Sequence, residues 1–509
     1  MNIRCLNFYS KLLSIALVTI LIFTPAIYST SAIAQPALQL KAASYKQLLS
    51  SQKALEAKQY AKAEQLLLTL IKNTQSLKYD QLIGWRNLAA VYLDQAASTG
   101  TASEENTQEN TQENTQENTD QLYNKAIPAL EKALELALGL KQQASIEQQQ
   151  LRLNLGQLLL QQQHYAKSAQ LFEDYLSIEE IKLSKPQISN TETENKVAKT
   201  SHPAARIYLL LAQAEYQQQH WHKVLSPISK AIAAATEQQL PAQKNWYQIK
   251  LAAFYQLKQP SEMKPLLQQM LKLWPNERQY WMQLYQVELQ QSEFSGLQAD
   301  ALAVLKSAWL QGVFDRESDY LQLAQLLAYN NNTYQAGQLL EQSIQQGLVT
   351  ETDKNYQSLA NYWLVAKDND KALLALKLQF QITPKAKLAL TISQLMFAQQ
   401  QYSQLIDFSS NYLKSASLNS TLLNSSSDSS LSKTESTTDS DAQIISKIQL
   451  LAAQSYWQLS QVSVLSENKK NQLIKNSIHL LKIIEENLAT KQTAKNWLKH
   501  IIKITNTKS

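Results

Sequence analysis

The feature that most constrains the fold is a recurring pattern of aromatic, leucine and small residues spaced three and four positions apart. In the segment WRNLAAVY, Trp85, Leu88, Ala89 and Tyr92 follow this spacing. Residues three or four apart lie on one face of an α-helix, and an apolar face has to be buried against another element. The pattern therefore predicts amphipathic helices that pack on one another, and we expect Trp85→Ala to cost about 3–5 kcal/mol of stability.

The same pattern recurs along the chain. Its copies include LYNKAIPALEKALEL, LRLNLGQLLLQQQHY and NYQSLANYWLVAKDNDKALLALKLQFQITP. Self-similarity of this kind is typical of repeat proteins, in which each unit buries its apolar face against its neighbours. The positions that we predict to form the structural core of the repeats are Trp85, Leu88, Ala89, Tyr92, Tyr123, Ala126, Leu155, Gly156, Tyr165, Leu359, Ala360, Trp363, Ala372 and Pro384.

The scarcity of glycine excludes several other fold classes. Only 8 of the 509 residues are Gly, whereas an average protein has about 7%. Tight β-hairpin turns and phosphate-binding loops both depend on glycine, so β-sandwiches, β-barrels and nucleotide-binding folds are disfavoured. Gln, Leu, Ala and Lys dominate the composition, and these residues suit helices. The fold is therefore predicted to be all-α.

Joined together, the segments around Trp85 and Tyr123 resemble one tetratricopeptide repeat (TPR), a helix pair whose first helix has the pattern W-x2-L-G/A-x2-Y. The resemblance implies a TPR-type α-α superhelical solenoid whose groove is lined by the first helices of the pairs. The residues that face this groove in the resemblance are Arg86, Gln157, Asn361 and Leu364. A groove rich in Gln and Leu indicates an extended or helical peptide as the ligand, so the expected partner is a protein.

A polar tetrapeptide repeat, EENTQENTQENTQENTD, interrupts the first of these units. The repeat lies between Tyr92 and Tyr123, which is the turn of the helix pair. Turns face solvent, and each doubling of a loop's length costs only about 0.6 kcal/mol. Because the tract cannot bury enough apolar surface to fold, we predict a disordered insert over residues 95–120.

The N-terminus has the features of a secretion signal. Arg4 and Lys11 supply positive charge, residues 12–23 are an apolar run, and SAIAQP carries an A-x-A cleavage pattern. We predict that residues 1–34 are removed by cleavage near Ala34 and that the mature protein is periplasmic. The alternative is an uncleaved anchor, although the apolar run is shorter than the roughly 20 residues of a membrane span.

Composition also indicates the boundaries of the remaining segments. Residues 181–203 are polar and contain proline, and residues 415–441 are rich in Ser and Thr, so both are predicted to be flexible linkers. They separate N-terminal TPR units at 35–180, central TPR units at 204–414, and a last block at 442–509 with a TPR-like unit and a capping helix.

Few residues are candidates for catalysis or metal binding. The single cysteine, Cys5, lies inside the predicted signal, so the mature chain has no thiol. His220 and His222 form an H-x-H pair, but a metal site needs three or four ligands and no carboxylate follows closely. No nucleophile-elbow, zinc-protease or phosphate-loop motif occurs. We predict no catalytic residue, metal or cofactor, and hence no enzyme; the net charge of +6 is too small to indicate nucleic acid.

Lysines are concentrated towards the C-terminus and allow two interpretations. Such a pattern is most often the solvent-facing side of a capping helix. The alternative is contact with an acidic partner or a membrane surface. The residues concerned are Lys469, Lys470, Lys475, Lys482, Lys491, Lys495, Lys499, Lys503 and Lys508.

The second half of the chain has a narrower resemblance. The segments WPNERQYWMQL, YLQLAQLLAYNNNTYQAGQLLEQSIQQGLV and AKNWLKHI resemble secreted TPR proteins associated with TonB energy-transduction systems of marine gammaproteobacteria. The resemblance implies a periplasmic adaptor that binds peptide segments of envelope proteins, among them TonB-complex components, and meets the membrane only through partners. The alternative is a TPR scaffold for envelope polysaccharide export or outer-membrane protein assembly, and neither requires a cofactor.

Overall fold

A computed structural model describes most of the chain after the predicted signal segment. The predicted signal peptide, 1–34, lies outside the described residues, as do 185–203 of the first predicted linker and 426–437 of the second. The described residues are 38–73, 77–104, 109–184, 204–241, 243–292, 298–425, 438–485 and 490–507.

All regular secondary structure in the described residues is helical. The chain divides into two compact units, and unit 1 ends at Leu273. The helices of its described residues form five successive pairs, with a short 3-10 helix, Lys141–Ala144, before the third pair. They are α1 (Ala42–Glu56), α2 (Tyr60–Lys72), α3 (Lys78–Glu104), α4 (Glu109–Gly139), α5 (Ser145–Gln161), α6 (Tyr165–Ser184), α7 (Ala204–Gln217), α8 (Trp221–Glu237), α9 (Lys244–Gln256) and α10 (Pro260–Leu273).

Unit 2 begins at Trp274, inside the segment predicted as one central block at 204–414. Where the structure describes it, unit 2 contains five further pairs and a final single helix. They are α11 (Arg278–Ser292), α12 (Ala299–Leu310), α13 (Glu317–Tyr329), α14 (Thr333–Gln345), α15 (Asp353–Val365), α16 (Asn369–Ile382), α17 (Ala386–Ala398), α18 (Tyr402–Ser425), α19 (Thr438–Ser460), α20 (Glu467–Glu485) and α21 (Lys491–Thr507).

Within each unit, every helix packs on the next one in the chain, both inside a pair and between consecutive pairs. The starts of α13, α15 and α17 are spaced by close to the 34 residues of a TPR. The prediction of an all-α, TPR-type α-α solenoid is confirmed by this arrangement. None of the described helices has the length and apolarity needed to cross a bilayer.

Tight turns join the helices of most pairs through one residue in the left-handed conformation. In the turn after α15, Lys367 has φ 62°. Its N–H donates to Leu364 O at 3.1 Å, and the Asp368 N–H donates to Trp363 O at 2.9 Å. These two bonds form a Schellman motif, which satisfies the last carbonyls of the helix and reverses the chain. The equivalent turn residues are Lys58, Gln163, Gln219, Lys258, Asn331 and Gln400.

Most residues predicted to form the core are buried. Large and small side chains meet between helices, as a close-packed interior requires. Trp85, Tyr123 and Tyr165 are half-buried, and Trp85 and Tyr123 pack against the buried cluster of unit 1. The buried ones are Leu88, Ala89, Tyr92, Ala126, Leu155, Gly156, Leu359, Ala360, Trp363 and Ala372.

Pro384 differs from the prediction, because it is exposed and contributes nothing to the core. It lies between the end of α16 at Ile382 and the start of α17 at Ala386. Proline has no N–H and restricts the preceding residue to extended conformations, so here it separates two helices.

The tetrapeptide insert also differs from its prediction. Residues 95–104 belong to α3 and residues 109–120 belong to α4, where disorder was predicted. Glu and Gln favour helices, and extending an existing helix avoids the unfavourable nucleation step. The helices α18 and α19 extend in the same way into the predicted 415–441 linker, as far as Ser425 and from Thr438.

Candidate functional site

A row of four side-chain amides lies along four of the five described first helices of unit 2, α11, α13, α15 and α17. Gln286, Gln325, Asn361 and Gln394 are each the ninth residue of α11, α13, α15 and α17, and all four are exposed. We call these four residues the amide row. No other part of the described chain accepts or donates a hydrogen bond at their side chains. Each carboxamide therefore presents two donors and an acceptor to solvent.

The burial pattern shows that the four helices present the same face. The seventh, eighth and eleventh residues of each are buried, while the ninth is exposed. Helices with the same pattern of burial point equivalent positions in the same direction, so the amides face one side of unit 2. The buried residues are Leu284, Tyr285, Glu288, Leu323, Ala324, Leu327, Leu359, Ala360, Trp363, Ile392, Ser393 and Met396.

Apolar side chains border the amide row on both sides. At the fifth position of the helices, three of the four residues are half-buried and apolar: Met282, Leu321 and Leu390. At the twelfth position all four are half-buried and apolar: Leu289, Ala328, Leu364 and Phe397. At the helix ends, Tyr329 and Val365 are 58% and 67% exposed. The result is a polar line between two apolar strips.

The amide row and the two apolar strips beside it carry no charge. None of the residues at the fifth, ninth, twelfth and thirteenth positions of α11, α13, α15 and α17 is ionisable at neutral pH. The nearest lysines on these helices, Lys354 and Lys387, occupy the second position, at the N-terminal end. Recognition along the row therefore depends on neutral hydrogen bonds and apolar contact.

Hydrogen bonds and ion pairs near the N-termini fix the orientation of these first helices relative to one another. Arg278 of α11 makes a bidentate contact with Asp319 of α13, whose side chain is fully buried. This hydrogen bond to Asp319 raises the pKa of Arg278, which keeps the guanidinium charged. A charge-assisted bidentate pair has a fixed geometry, so it sets the orientation of one helix relative to the next.

The carboxylates of Glu317 and Asp353 join the following helices. The Glu317 carboxylate accepts hydrogen bonds from Thr350 Oγ1 at 2.8 Å and Asn355 Nδ2 at 3.0 Å, linking α13 to α15. The bond from Thr350 holds the pKa of Glu317 below its ordinary value. Asp353 accepts from Gln379 Nε2 and Lys385 Nζ, both at 3.1 Å, and the Gln379 bond chiefly lowers the pKa of this carboxyl.

Two of the predicted groove residues belong to this face and two do not. Asn361 is part of the amide row, and Leu364 is in the apolar strip beside it. Arg86 on α3 and Gln157 on α5 are half-buried residues of unit 1. The prediction missed Gln286, Gln325 and Gln394. Their common signal is an amide directly after a buried residue pair, and this signal is visible only when the helix starts are known.

Arg86 has a different environment from the amide row. The Tyr79 hydroxyl donates to Glu147 Oε1 at 3.1 Å, and burial, reinforced by Glu147, raises the pKa of Tyr79 to about 12. Burial lowers the pKa of Arg86, while Tyr79 and Glu147 oppose that shift. Arg86 thus belongs to a polar cluster between α3 and α5 that is part of the packing of unit 1.

The predicted H-x-H pair lies at the start of α8. His220 Nδ1 is 2.7 Å from Oε2 of the buried Glu215, and Lys223 Nζ is 3.8 Å from Oε1 of the same carboxylate. His222 is exposed. In the part of the chain that the structure describes, no three His, Cys, Asp or Glu side chains are grouped as metal ligands.

No protein-family model matches the chain, and no curated protein matches it by sequence. Among solved structures, it is similar to the TPR2AB domain of yeast Sti1 in a pHSP90 complex, at 10% identity and a TM-score of 0.28, over 60% of this chain and 99% of that one. It is similar to the TPR domain of P58(IPK), at 13% identity and a TM-score of 0.21, over 92% of this chain and 99% of that one.

A third similar structure is the C-terminal part of a TPR repeat-containing protein from Cytophaga hutchinsonii. Its identity is 12% and its TM-score 0.28, over 66% of this chain and 96% of that one. At these TM-scores the likenesses support no conclusion about this chain. Its own helix pairs, turns and repeated burial pattern establish an all-α fold of the TPR type.

Proposed function

We propose that this protein is a non-catalytic interaction scaffold and that the amide row of unit 2 binds an extended, uncharged peptide segment. The observation that carries the proposal is the row itself: four exposed amides at one helical position, without hydrogen-bond partners in the described chain. An extended peptide leaves its main-chain N–H and C=O groups unpaired. A carboxamide can donate to the C=O and accept from the N–H of such a peptide.

The apolar strips indicate the side chains of this ligand. Successive side chains of an extended chain point to opposite sides. A peptide lying on the amide row would therefore direct alternate side chains to the strip containing Leu321 and to the strip containing Leu364. Both strips are apolar and half-buried, so apolar ligand residues on both sides gain most from burial. The absence of charge within the row and its strips disfavours recognition of a ligand carboxylate there, since Lys354 and Lys387 lie about 10 Å away, two turns nearer the helix N-termini.

We further propose that the protein acts in the periplasm as an accessory component of a TonB-dependent uptake system. The support is the secretion-signal pattern at residues 1–34 and the resemblance of its second half to secreted TPR proteins of TonB systems. Its partners would then be peptide segments of envelope proteins, including TonB-complex components. A scaffold for polysaccharide export or outer-membrane assembly would use the same face for different partners.

Site-specific photocrosslinking in living cells tests the binding face. A photoreactive amino acid replaces Val365, beside the amide row, or Gln342, an exposed amide on the second helix α14. We expect a discrete protein adduct from position 365 that decreases when Gln325, Asn361 and Gln394 are all changed to Ala. Adducts of equal strength from both positions, or an adduct that is insensitive to the triple change, would contradict the proposal.

The identity of the crosslinked protein and a deletion strain test the proposed system. We expect a component of the TonB complex in the adduct, and reduced uptake of iron carriers by the deletion strain. Normal uptake together with an adduct to an export or assembly protein would reject the TonB role and retain the binding face.

A further inference from the structure

The last two helices of unit 2 concentrate positive charge. Residues 467–507 contain eight lysines, three glutamates and no arginine, and so account for most of the chain's formal net charge of +6. On α21, lysines recur every fourth residue, which places them along one side of the helix. These are Lys491, Lys495, Lys499 and Lys503.

Packing fixes the orientation of this lysine stripe. Ala494, Leu498 and Ile501 on the adjacent side of α21 are 0%, 8% and 0% exposed, in a cluster with Trp457 and Leu481. Rotating α21 would expose this apolar side, so the lysines stay at the surface. Lys491, Lys499 and Lys503 are exposed and Lys495 is half-buried.

A second stripe on α20 continues the same surface. Lys475 and Lys482 are exposed and seven residues apart, which is two helical turns. Three residues after Lys482, Glu485 Oε1 lies 3.8 Å from Lys495 Nζ, so the two stripes meet there. We call Lys475, Lys482, Lys491, Lys495, Lys499 and Lys503 the lysine face.

The lysine face lowers the stability of the helices that carry it. Like charges four residues apart destabilise a helix. Glu485 is half-exposed, and an ion pair in such a setting offsets little of the repulsion. A dense anionic surface would offset the repulsion along the whole face, whereas the described ion pair of Glu485 involves Lys495.

Exposed aliphatic side chains accompany the lysines. Ile502 lies between Lys499 and Lys503 in the chain and is 45% exposed, and Ile483 follows Lys482 and is 44% exposed. Val464, in the segment between α19 and α20, is 91% exposed. Aliphatic side chains beside lysines are typical of segments that rest at a membrane interface.

The residue types distinguish between anionic partners. Single-stranded nucleic acid is bound through aromatic side chains that stack on bases, with arginine contributing. The most exposed apolar residues of this region in the described chain are Val462, Val464, Ile483 and Ile502, all of them aliphatic. Lysine acts as a point charge and suits diffuse attraction to anionic headgroups. We propose that the lysine face binds a surface of anionic lipid headgroups. Val464, Ile483 and Ile502 would enter the boundary between the headgroups and the acyl chains.

Vesicle co-sedimentation of the purified protein tests this proposal. The vesicles are phosphatidylcholine with or without phosphatidylglycerol, at low salt and at about 1 M salt, where charges are screened beyond about 3 Å. The test variant combines Lys475→Gln, Lys482→Gln, Lys491→Gln and Lys499→Gln. The matched control removes the same charge from exposed lysines elsewhere in unit 2, with Lys354→Gln, Lys367→Gln, Lys387→Gln and Lys447→Gln.

We expect sedimentation with phosphatidylglycerol vesicles only, loss of it at high salt, and binding weaker by about tenfold or more in the test variant but not in the control. Val464→Ser should weaken binding by about threefold without affecting folding, because the side chain is almost fully exposed. Circular dichroism checks that all variants retain their helices.

Three results would overturn the proposal. The first is no sedimentation with phosphatidylglycerol vesicles at low salt, or equal sedimentation with pure phosphatidylcholine. The second is equal weakening in the test variant and the matched control. The third is binding to soluble polyglutamate as tight as binding to the vesicles at equal charge, which would assign the lysine face to an acidic macromolecule. None of these results depends on the amide row.

Discussion

Gly337 of α14 lies directly against the indole ring of Trp363 of α15. A Cβ atom at Gly337 would be 2.9 Å from both Cδ2 and Cε2 of that ring. The ring is fully buried, Tyr334 meets it edge-on at 5.3 Å between centroids, and Lys371 Nζ lies 4.1 Å from its centroid. The close approach of two helix pairs at this point therefore depends on the absence of a side chain at position 337.

We expect Gly337→Ala to destabilise unit 2 by a net amount of up to about 2 kcal/mol. The added methyl group overlaps a rigid ring that has no free space to move into, and overpacking of a core costs about 1–3 kcal/mol. The gain in helix propensity from Gly to Ala, about 1 kcal/mol, offsets only part of it. Urea unfolding followed by circular dichroism measures the change.

Gly139→Ala is the matched control, because nothing lies within 4 Å of a Cβ atom there. It should leave stability unchanged or raise it. A Gly337→Ala variant more stable than the wild type by the full gain in helix propensity, about 1 kcal/mol, would show that the helices at this junction can separate at no cost.

Trp363→Ala should destabilise unit 2 by about 3–5 kcal/mol, since it removes the largest fully buried side chain. Trp85→Ala should cost less, because Trp85 is half-buried and part of its ring area already faces water. This revises the value expected from the sequence pattern. Thermal unfolding of both variants gives the comparison, and a larger loss for Trp85→Ala would contradict it.

Lys367→Gly should stabilise unit 2 by about 0.5–1 kcal/mol. Lys367 adopts a left-handed conformation, which costs a residue with a Cβ atom roughly 1–2 kcal/mol, while glycine adopts it freely. The greater freedom of glycine in the unfolded chain cancels part of the gain, about 0.4–1 kcal/mol. Lys367→Ala, which keeps the Cβ atom, is the control. Equal unfolding midpoints for the Gly and Ala variants would refute this explanation.

Unit 2 should lose stability in acid through Glu317 and Asp353. The pKa of Glu317 lies below its ordinary value of 4.5, and that of Asp353 below 3.8. The unfolded chain therefore binds protons more readily than the folded one. The stabilisation is complete above the ordinary pKa values and is lost as the pH falls through the lowered ones.

The corresponding measurement is the urea midpoint between about pH 6 and about pH 3, for the wild type and for Glu317→Gln. Glutamine can still accept a hydrogen bond from Thr350 but does not titrate. The midpoint of the wild type should therefore fall more steeply. Parallel curves for the two proteins would mean that the Glu317 carboxylate contributes nothing to the acid sensitivity.

The helical architecture could be predicted because its signal is local. The pattern around Trp363 involves residues three and four apart in one helix, and such a pattern can be read without knowing what the helix packs against. The depth of burial could not be predicted in the same way. Trp85 and Trp363 occupy related sequence patterns, yet only Trp363 has neighbours that cover its whole ring.

Most of the amide row could not be predicted either. Asn361 belongs to the copy that best matches the repeat pattern, and it was identified as a groove residue. Gln286, Gln325 and Gln394 lie in less regular copies. Their equivalence to Asn361 depends on where α11, α13 and α17 begin, and helix boundaries are the least certain part of any prediction from sequence.

Because the backbone at residues 95–104 and 109–120 is helical, the number of ENTQ repeats sets the length of a helix, which it would not do in a loop. Each tetrapeptide adds about 6 Å of helix. It corresponds to a whole number of codons, so gain or loss of one copy in the gene preserves the reading frame. The repeat is thus a means by which replication errors can adjust the reach of one helix pair in discrete steps, while the buried contacts of Leu88 and Ala126 stay the same.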